Sequence, residues 1–305
     1  MPEPAIFIQE LRKAYSTVVA VDDLSLAVPR GEIFGLLGPN GAGKTTTIRV
    51  LMDIIKPDAG QARVLGELPG QSRRRVGYLP EERGLYRSLR VIDCLGYLGE
   101  LKGMSRSAAR QRARQLLERV ELAEWGKRKV DELSRGMQQK VQLIASIIHD
   151  PELVILDEPF QGLDPVNAEM VRELIRDLRA QGKTVVLSAH EMSLVEMLCE
   201  RIALINHGRV VLDGRLDEIK QRFAPNAIEI SPPLALDGWP GVLRVTDVDG
   251  RQRQRITLAP GLQPRELLKQ IVERGLPLDQ FERATATLDE IFFTVVKADG
   301  DHAAR

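Results

Sequence analysis

Eight consecutive residues constrain this chain more than any others. Gly38-Pro39-Asn40-Gly41-Ala42-Gly43-Lys44-Thr45 matches the pattern G-x-x-x-x-G-K-[ST]. The apolar run Ile33–Leu37 precedes it and reads as a buried strand, and a helix is predicted from Lys44 to Ile55, stopped by Lys56-Pro57-Asp58. Between a strand and a helix, glycines let backbone N–H groups turn inward around phosphate oxygens, and the helix N-terminus adds a favourable dipole. The pattern places Lys44 on the β- and γ-phosphates of a nucleotide and the Thr45 hydroxyl on Mg²⁺, with Thr46 beside it on the same turn.

A phosphate loop needs a second, acidic element for its metal. Leu153-Val154-Ile155-Leu156-Asp157-Glu158 supplies one, an apolar strand ending in two carboxylates, with Asp157 113 residues after Lys44. Asp157 suits the Mg²⁺ shell, and Glu158 at the strand tip suits orienting or deprotonating an attacking water. The reaction class is then phosphoryl transfer to water or a hydroxyl. Thr184–Leu187 reads as another buried strand, and a helix over Pro165–Ala180 lies between the two strands. This βαβ rhythm predicts an α/β fold with a mostly parallel sheet, while residues 91–149 read as helices.

The chain has 305 residues, 43% of them hydrophobic and 28% charged, enough for about two domains with real cores and unlike a disordered tract. Lys+Arg and Asp+Glu are equal at 43 each, which argues against a surface given over to nucleic acid. That zero hides an uneven spread, because residues 71–129 carry 15 basic against 7 acidic side chains. Such a block reads as a solvated helical face. No run of 18 apolar residues and no leader-like N-terminus is present, so neither spanning a membrane nor export is expected. Cys94 and Cys199 lie 105 residues apart and read as buried, inert thiols of a reducing compartment.

Prolines and glycines gather after residue 224, where a second, smaller domain is expected over 225–305. Asp249-Gly250 predicts a hairpin between Val242–Val248 and Arg251–Leu258. Leu288, Ile291, Phe292, Val295 and Val296 follow helical spacing behind a capping box of Thr287 and Glu290. Nothing in 225–305 has a catalytic pattern, and Trp239 reads as packing.

Leu133-Ser134-Arg135-Gly136-Met137-Gln138-Gln139, 23 residues before Asp157 when counted from Ser134, resembles the LSGGQ signature of ABC transporter ATP-binding subunits. Read by itself it is a helix start, with Ser134 as N-cap and Gly136 allowing close backbone approach. With the two Walker elements the resemblance to this family runs from about residue 5 to 220. It implies a P-loop NTPase cassette over 1–224, with a mixed sheet core, a β subdomain and a helical subdomain at about 84–150. A smaller C-terminal α+β domain follows at 225–305.

The resemblance also implies roles. Tyr15 stands where an aromatic stacks on adenine, Gly162-Leu163-Asp164 resembles the loop that passes between subunits, and His190 resembles the switch histidine on the γ-phosphate. Asp164 also reads as an N-capping turn residue. His149, His207 and His302 carry no motif and read as incidental. Glu81 occupies the position where most of the family has glutamine, and it is expected to tune Mg²⁺ and water. Arg135 and Met137 depart from the signature, and Arg135 reads either as a cation near the partner's γ-phosphate or as a solvated helix-start residue. Pro80-Glu81-Glu82-Arg83-Gly84-Leu85-Tyr86 and Ser134–Lys140 are most similar to the sodium-efflux type of the ABC-2 exporter branch. Leu288-Asp289-Glu290-Ile291-Phe292 is similar to the accessory domain after such cassettes.

For function, the resemblance implies an ATPase with ATP and Mg²⁺, paired with a second cassette (a homodimer being simplest) and with separate transmembrane permease subunits. The subunit would be cytoplasmic and peripheral to the membrane through the permease. Efflux of Na⁺ or of a small molecule such as a drug fits this branch. A soluble ABC ATPase acting on nucleic acid or ribosomes is the competing reading. The single cassette and the 90 residues between Lys44 and Ser134, too few for a long coiled coil, weigh against it. A non-hydrolysing regulator would be expected to lack Lys44 or Glu158, and both are present.

Overall fold

The computed structural model describes residues 3–82, 84–248 and 252–303, with side chains to 299. Arg83, Asp249, Gly250 and the His302 side chain, all singled out from sequence, lie outside the described residues.

The chain divides into two units: residues to Leu216 together with those from Val295 on, and Asp217–Thr294. The boundary therefore falls at the start of the helix Leu216–Arg222 rather than at 224/225, and the last residues group with the first unit. Most of that helix groups with the smaller unit, ahead of the Pro- and Gly-rich stretch after 224.

In the first unit, strands β1 (Ile6–Tyr15), β2 (Val18–Val28) and β4 (Ala59–Val64) form an antiparallel sheet in the order β2-β1-β4. A six-stranded mixed sheet contains β3 (Ile33–Leu37), β5 (Val76–Leu79), β6 (Leu153–Asp157), β7 (Thr184–Ala189), β8 (Arg201–Asn206) and β9 (Arg209–Arg215). Its order is β5-β6-β7-β3-β8-β9, parallel except for the edge pair β8-β9. Every residue of β3, β6 and β7 is buried, which explains their unbroken apolar runs: a sheet covered on both faces needs no polar side. Residues of β1, β2, β4 and the helix Lys44–Leu51 share one core with Phe34, Leu36, Leu153, Ile155 and Val186 of these strands.

Helix α1 (Lys44–Leu51) follows β3 and stops four residues short of the expected Ile55. Asp53 turns into the left-handed region at φ 58°, and the N–H groups of Ile54 and Ile55 fold back on the Arg49 carbonyl. Helices α2 (Val91–Leu101), α3 (Arg106–Arg119) and α4 (Arg135–Ile147) form the helical region between β5 and β6. Many cations of the basic block are engaged internally there: Arg75 with Glu152 and Glu67, Arg110 with Asp93, Arg119 with Asp177 and Arg128 with Glu132. Helix α5 (Pro165–Ala180) joins β6 to β7, and α6 (Met192–Leu198) joins β7 to β8. Cys94 and Cys199 are both free and buried.

Helix α7 (Leu216–Arg222) leads into the smaller unit. There β10 (Ala227–Ser231), β11 (Val242–Val248), β12 (Arg253–Leu258) and β13 (Gln280–Arg283) form an antiparallel sheet, order β11-β12-β10-β13. One face packs Ile228, Ile230, Ile256 and Leu258 against Leu267 and Ile271 of α8 (Pro264–Glu273), with Trp239 beside them. Helix α9 (Leu288–Ala303) opens with the expected capping box: Thr287 N–H donates to Glu290 Oε2 at 2.9 Å and Glu290 N–H to Thr287 Oγ1 at 3.2 Å. Among the described residues no helix is long and apolar enough to cross a membrane.

Candidate nucleotide site

The loop between β3 and α1 is held by close backbone approaches that only glycine permits. A Cβ on Gly38 would lie 2.2 Å from the Ile205 carbonyl oxygen, and one on Gly43, at φ 109°, would lie 2.4 Å from that of Ala20. The loop borders a cavity of about 470 Å³ lined by Tyr15, Val18 and Ala20 on one side and by Asn40 to Thr46, Glu81, Asp157 and Glu158 on the other. Tyr15 is 43% exposed at the end of β1, its ring 5.8 Å from the Lys13 ammonium.

Lys44 is buried, and its ammonium donates to the carbonyls of Gly38 (2.7 Å) and Pro39 (3.2 Å). Burial pulls its pKa below the ordinary lysine value, against the opposing pull of Glu158, Asp157 and Glu81. Gly38 and Pro39 do not line the cavity themselves but hold this ammonium, and Asn40, Gly41, Ala42, Gly43, Thr45 and Thr46 line it.

The two carboxylates stand at the end of β6 in different surroundings. Asp157 is 1% exposed; its Oδ1 accepts from the Ser188 hydroxyl at 2.5 Å, and its Oδ2 is buried with no hydrogen-bond partner among the described residues. Ser188 is its register partner on β7, and the same hydroxyl accepts from the Glu158 N–H at 3.1 Å. Glu158 takes the left-handed region at φ 51°. Burial pushes its carboxyl pKa up, while His190, whose Nδ1 lies 2.8 Å from Oε2, and Lys44 pull it down.

An unpartnered buried carboxylate oxygen beside the Thr45 hydroxyl and Glu81 is a hard-oxygen donor set that fits Mg²⁺. No group of three or more His, Cys, Asp or Glu side chains among the described residues could hold a metal alone.

Ser134, Gly136 and Asp164 do not line this cavity. Ser134 caps α4, accepting from Met137 N–H at 3.3 Å, and Asp164 caps α5, accepting from Asn167 N–H at 2.9 Å. Leu163 is the nearest neighbour a Cβ on Gly136 would meet, at 3.7 Å, so the signature and the Gly162–Asp164 loop share one region. Sequence reasoning missed Val18 and Ala20 as lining and Ser188 as the link between Asp157 and Glu158. Ser188 lies two residues before His190, but its role depends on strand register.

A phosphate loop, a paired-carboxylate strand tip and a histidine on that tip, in a mixed sheet with an inserted helical region, define a P-loop ATPase cassette. A family model described as ABC transporter matches residues 21–161, and one described as ATP-binding protein DrrA1-3-like, C-terminal domain, matches residues 214–296. The daunorubicin resistance ATP-binding protein DrrA3 of Streptomyces coeruleorubidus is 35% identical over 302 residues, 96% of each chain. The Nod factor export ATP-binding protein I of Paraburkholderia xenovorans is 42% identical over 238 residues, 76% of this chain and 78% of its own. Among solved structures, an ATP-binding subunit of an ABC transporter superposes with TM-score 0.67 at 30% identity, covering 72% of this chain and 93% of that one. A cassette solved as a dimer in a post-hydrolysis state with ADP and Pi shares the fold, with TM-score 0.65 at 24% identity over 69% of this chain and 98% of that one. The chain belongs to the ABC transporter ATP-binding proteins, carries a DrrA-like C-terminal domain, and is an ABC-type ATPase.

Proposed function

We propose that this chain is the ATP-hydrolysing subunit of an exporter, working as a homodimer on the cytoplasmic side of a separate membrane permease. The observation that carries the reading is the split site. Lys44, Thr45, Asp157 and Glu158 converge on one cavity, while Ser134, Gly136 and Asp164 lie outside it. A second copy presenting its own Ser134 and Gly136 would close the γ-phosphate side.

In this reading the loop amides and Lys44 hold the phosphates, exchanging the ammonium's contacts with the Gly38 and Pro39 carbonyls for phosphate oxygens. Tyr15 stacks on the base. Thr45, Asp157 and Glu81 would hold Mg²⁺, which would supply charge neutralisation to the phosphates. Glu158 takes a proton from the attacking water, and His190 orients that carboxylate and contacts the γ-phosphate. The daunorubicin and Nod factor relatives favour a small organic cargo over Na⁺.

Phosphate release from ATP by the purified chain, together with the oligomeric state of Glu158→Gln, tests this. Wild type should hydrolyse ATP with Mg²⁺, and Glu158→Gln should bind ATP and run as a dimer. A variant that hydrolyses at the wild-type rate, or stays monomeric with saturating ATP, overturns the assignment. Co-purification with a hydrophobic membrane partner, against retention on RNA or DNA, separates the exporter from a nucleic-acid ATPase.

A further inference from the structure

Two charged side chains beside the site have no partner. Arg49, on the exposed face of α1, and Glu81, just past β5, make no hydrogen bond or ion pair among the described residues. Both line a second cavity, of about 390 Å³, together with Thr45 and Asp157. Glu81 also lines the cavity that holds Lys44, so it stands where the two meet. The Tyr78 phenol, on the wall of the second cavity, senses both side chains: with burial and Asp157 pushing its pKa up to about 12, Glu81 adds to the rise and Arg49 opposes it. The fields of the two groups therefore overlap.

Charge counting gives the overlap a purpose. Among the described residues, Glu81, Glu82, Asp157 and Glu158 line the two cavities against Lys44 and Arg49. Lys44 sits among the loop carbonyls and already faces three carboxylates, Glu158, Asp157 and Glu81. A glutamine at position 81 would bring no charge. The carboxylate brings one, next to a polyanionic nucleotide, and like charges there disfavour binding. Among the described residues, Arg49 is the one cation lining the second cavity.

We propose that Arg49 is the counter-charge of Glu81, a positioning residue that lets this cassette carry a carboxylate beside the phosphates without losing nucleotide affinity. The inference rests on the assignment of Glu81 to the nucleotide and Mg²⁺ site given above. It makes the two positions a functional pair, so neither substitution has a fixed effect by itself.

The test is a double-mutant cycle on the full chain: wild type, Arg49→Gln, Glu81→Gln and the double variant. Binding is read as the Kd for the fluorescent analogue methylanthraniloyl-ATP at fixed Mg²⁺, so no hydrolysis is needed. Arg49→Gln should weaken binding about threefold to fivefold when Glu81 is present, and by less than about twofold in the Glu81→Gln background, the scale of a partly screened charge pair. Arg49→Lys should restore affinity. Equal losses in both backgrounds, or none in either, overturn the pairing; thermal midpoints within a degree or two of wild type exclude misfolding as the cause. If wild type fails to bind the analogue, or Lys44→Ala binds it equally well, the nucleotide-site assignment itself has failed, and that outcome is distinct from additivity.

Discussion

His190 Nδ1 lies 2.8 Å from Glu158 Oε2, joining the turn after β7 to the tip of β6. The ionised carboxylate accepts from the imidazole N–H, and this contact opposes the upward push that burial exerts on Glu158. His190→Ala should lower ATP turnover by about 100-fold or more, the range of a lost acid–base or orienting group. The acid limb of its residual activity should also lie at a higher pH than in wild type. A base must be deprotonated to act, and without His190 only Lys44 still pulls its pKa down. An acid limb that stays in place in pH–rate profiles would mean that the contact does not govern Glu158 in the working enzyme.

Ser188 is fully buried, and its single hydroxyl serves both carboxylate residues. Ser188→Ala would leave the buried Asp157 Oδ1 and the part-buried Glu158 N–H without this partner. A stability loss of about 1–3 kcal/mol is expected from the unsatisfied groups. Turnover should fall with it, because the left-handed Glu158 backbone loses its tether. Ser188→Thr keeps the hydroxyl and should recover most of the turnover. Urea unfolding and steady-state ATPase rates on the two variants separate packing from hydrogen bonding.

The contrast between Ser188 and Lys44 marks what the sequence could tell. Gly38 to Thr45 is legible because one short segment carries both the ligand geometry and its local cause, a strand, a turn and a helix start. Asp157 and Glu158 are legible because the apolar run before them is buried on both faces. The Asp157–Ser188 link depends on parallel register between strands 31 residues apart, which no local pattern encodes. Val18 and Ala20 reach the cavity through the antiparallel sheet rather than through a motif. Helix α1 ends early because Asp53 turns left-handed, against an apolar pattern that continues through Ile54 and Ile55. The signature was legible as a helix cap, but its separation from the cavity is a three-dimensional fact, and the second-copy argument rests on it.

In the smaller unit Arg255 bridges strand and helix. Its guanidinium donates to Glu229 Oε1 at 3.0 and 2.9 Å, to Glu290 Oε1 at 2.6 Å and to the Thr285 carbonyl at 3.3 Å. Its side chain is only 18% exposed and that of Glu229 only 16%. Among the described residues, Arg255→Ala would leave this largely buried carboxylate with Arg253, at 3.5 Å, as its one remaining cation. A loss of about 2–4 kcal/mol follows from breaking one side of such a pair. The paired change Arg255→Met with Glu229→Leu should lose less, because the charges left behind, Glu290 and Arg253, are far more exposed than Glu229. Chemical unfolding followed by the fluorescence of Trp239, which packs on this unit's core, reads the difference.

His149 gives the fold an acid sensitivity that is independent of catalysis. Its Nε2 lies 3.1 Å from the Val76 carbonyl, which also accepts from the Lys102 ammonium at 2.9 Å, and its Nδ1 is buried without a partner. The carbonyl can only accept, so Nε2 carries the proton and Nδ1 is bare. Burial, helped by the nearby Lys102 charge, pushes the imidazole pKa down from 6.5 to about 4. The folded pKa lies below the unfolded one, so the unfolded chain takes up the proton first. The contribution is complete above pH 6.5 and is lost as pH falls toward 4, on the order of 2–3 kcal/mol in all. His149→Gln keeps a donor for Val76 but cannot titrate. Its unfolding free energy should therefore decline less steeply than wild type between these pH values, although carboxylates elsewhere titrate equally in both. Parallel slopes for the two proteins in urea unfolding from pH 7 to pH 4 would mean that His149 does not bury a neutral ring.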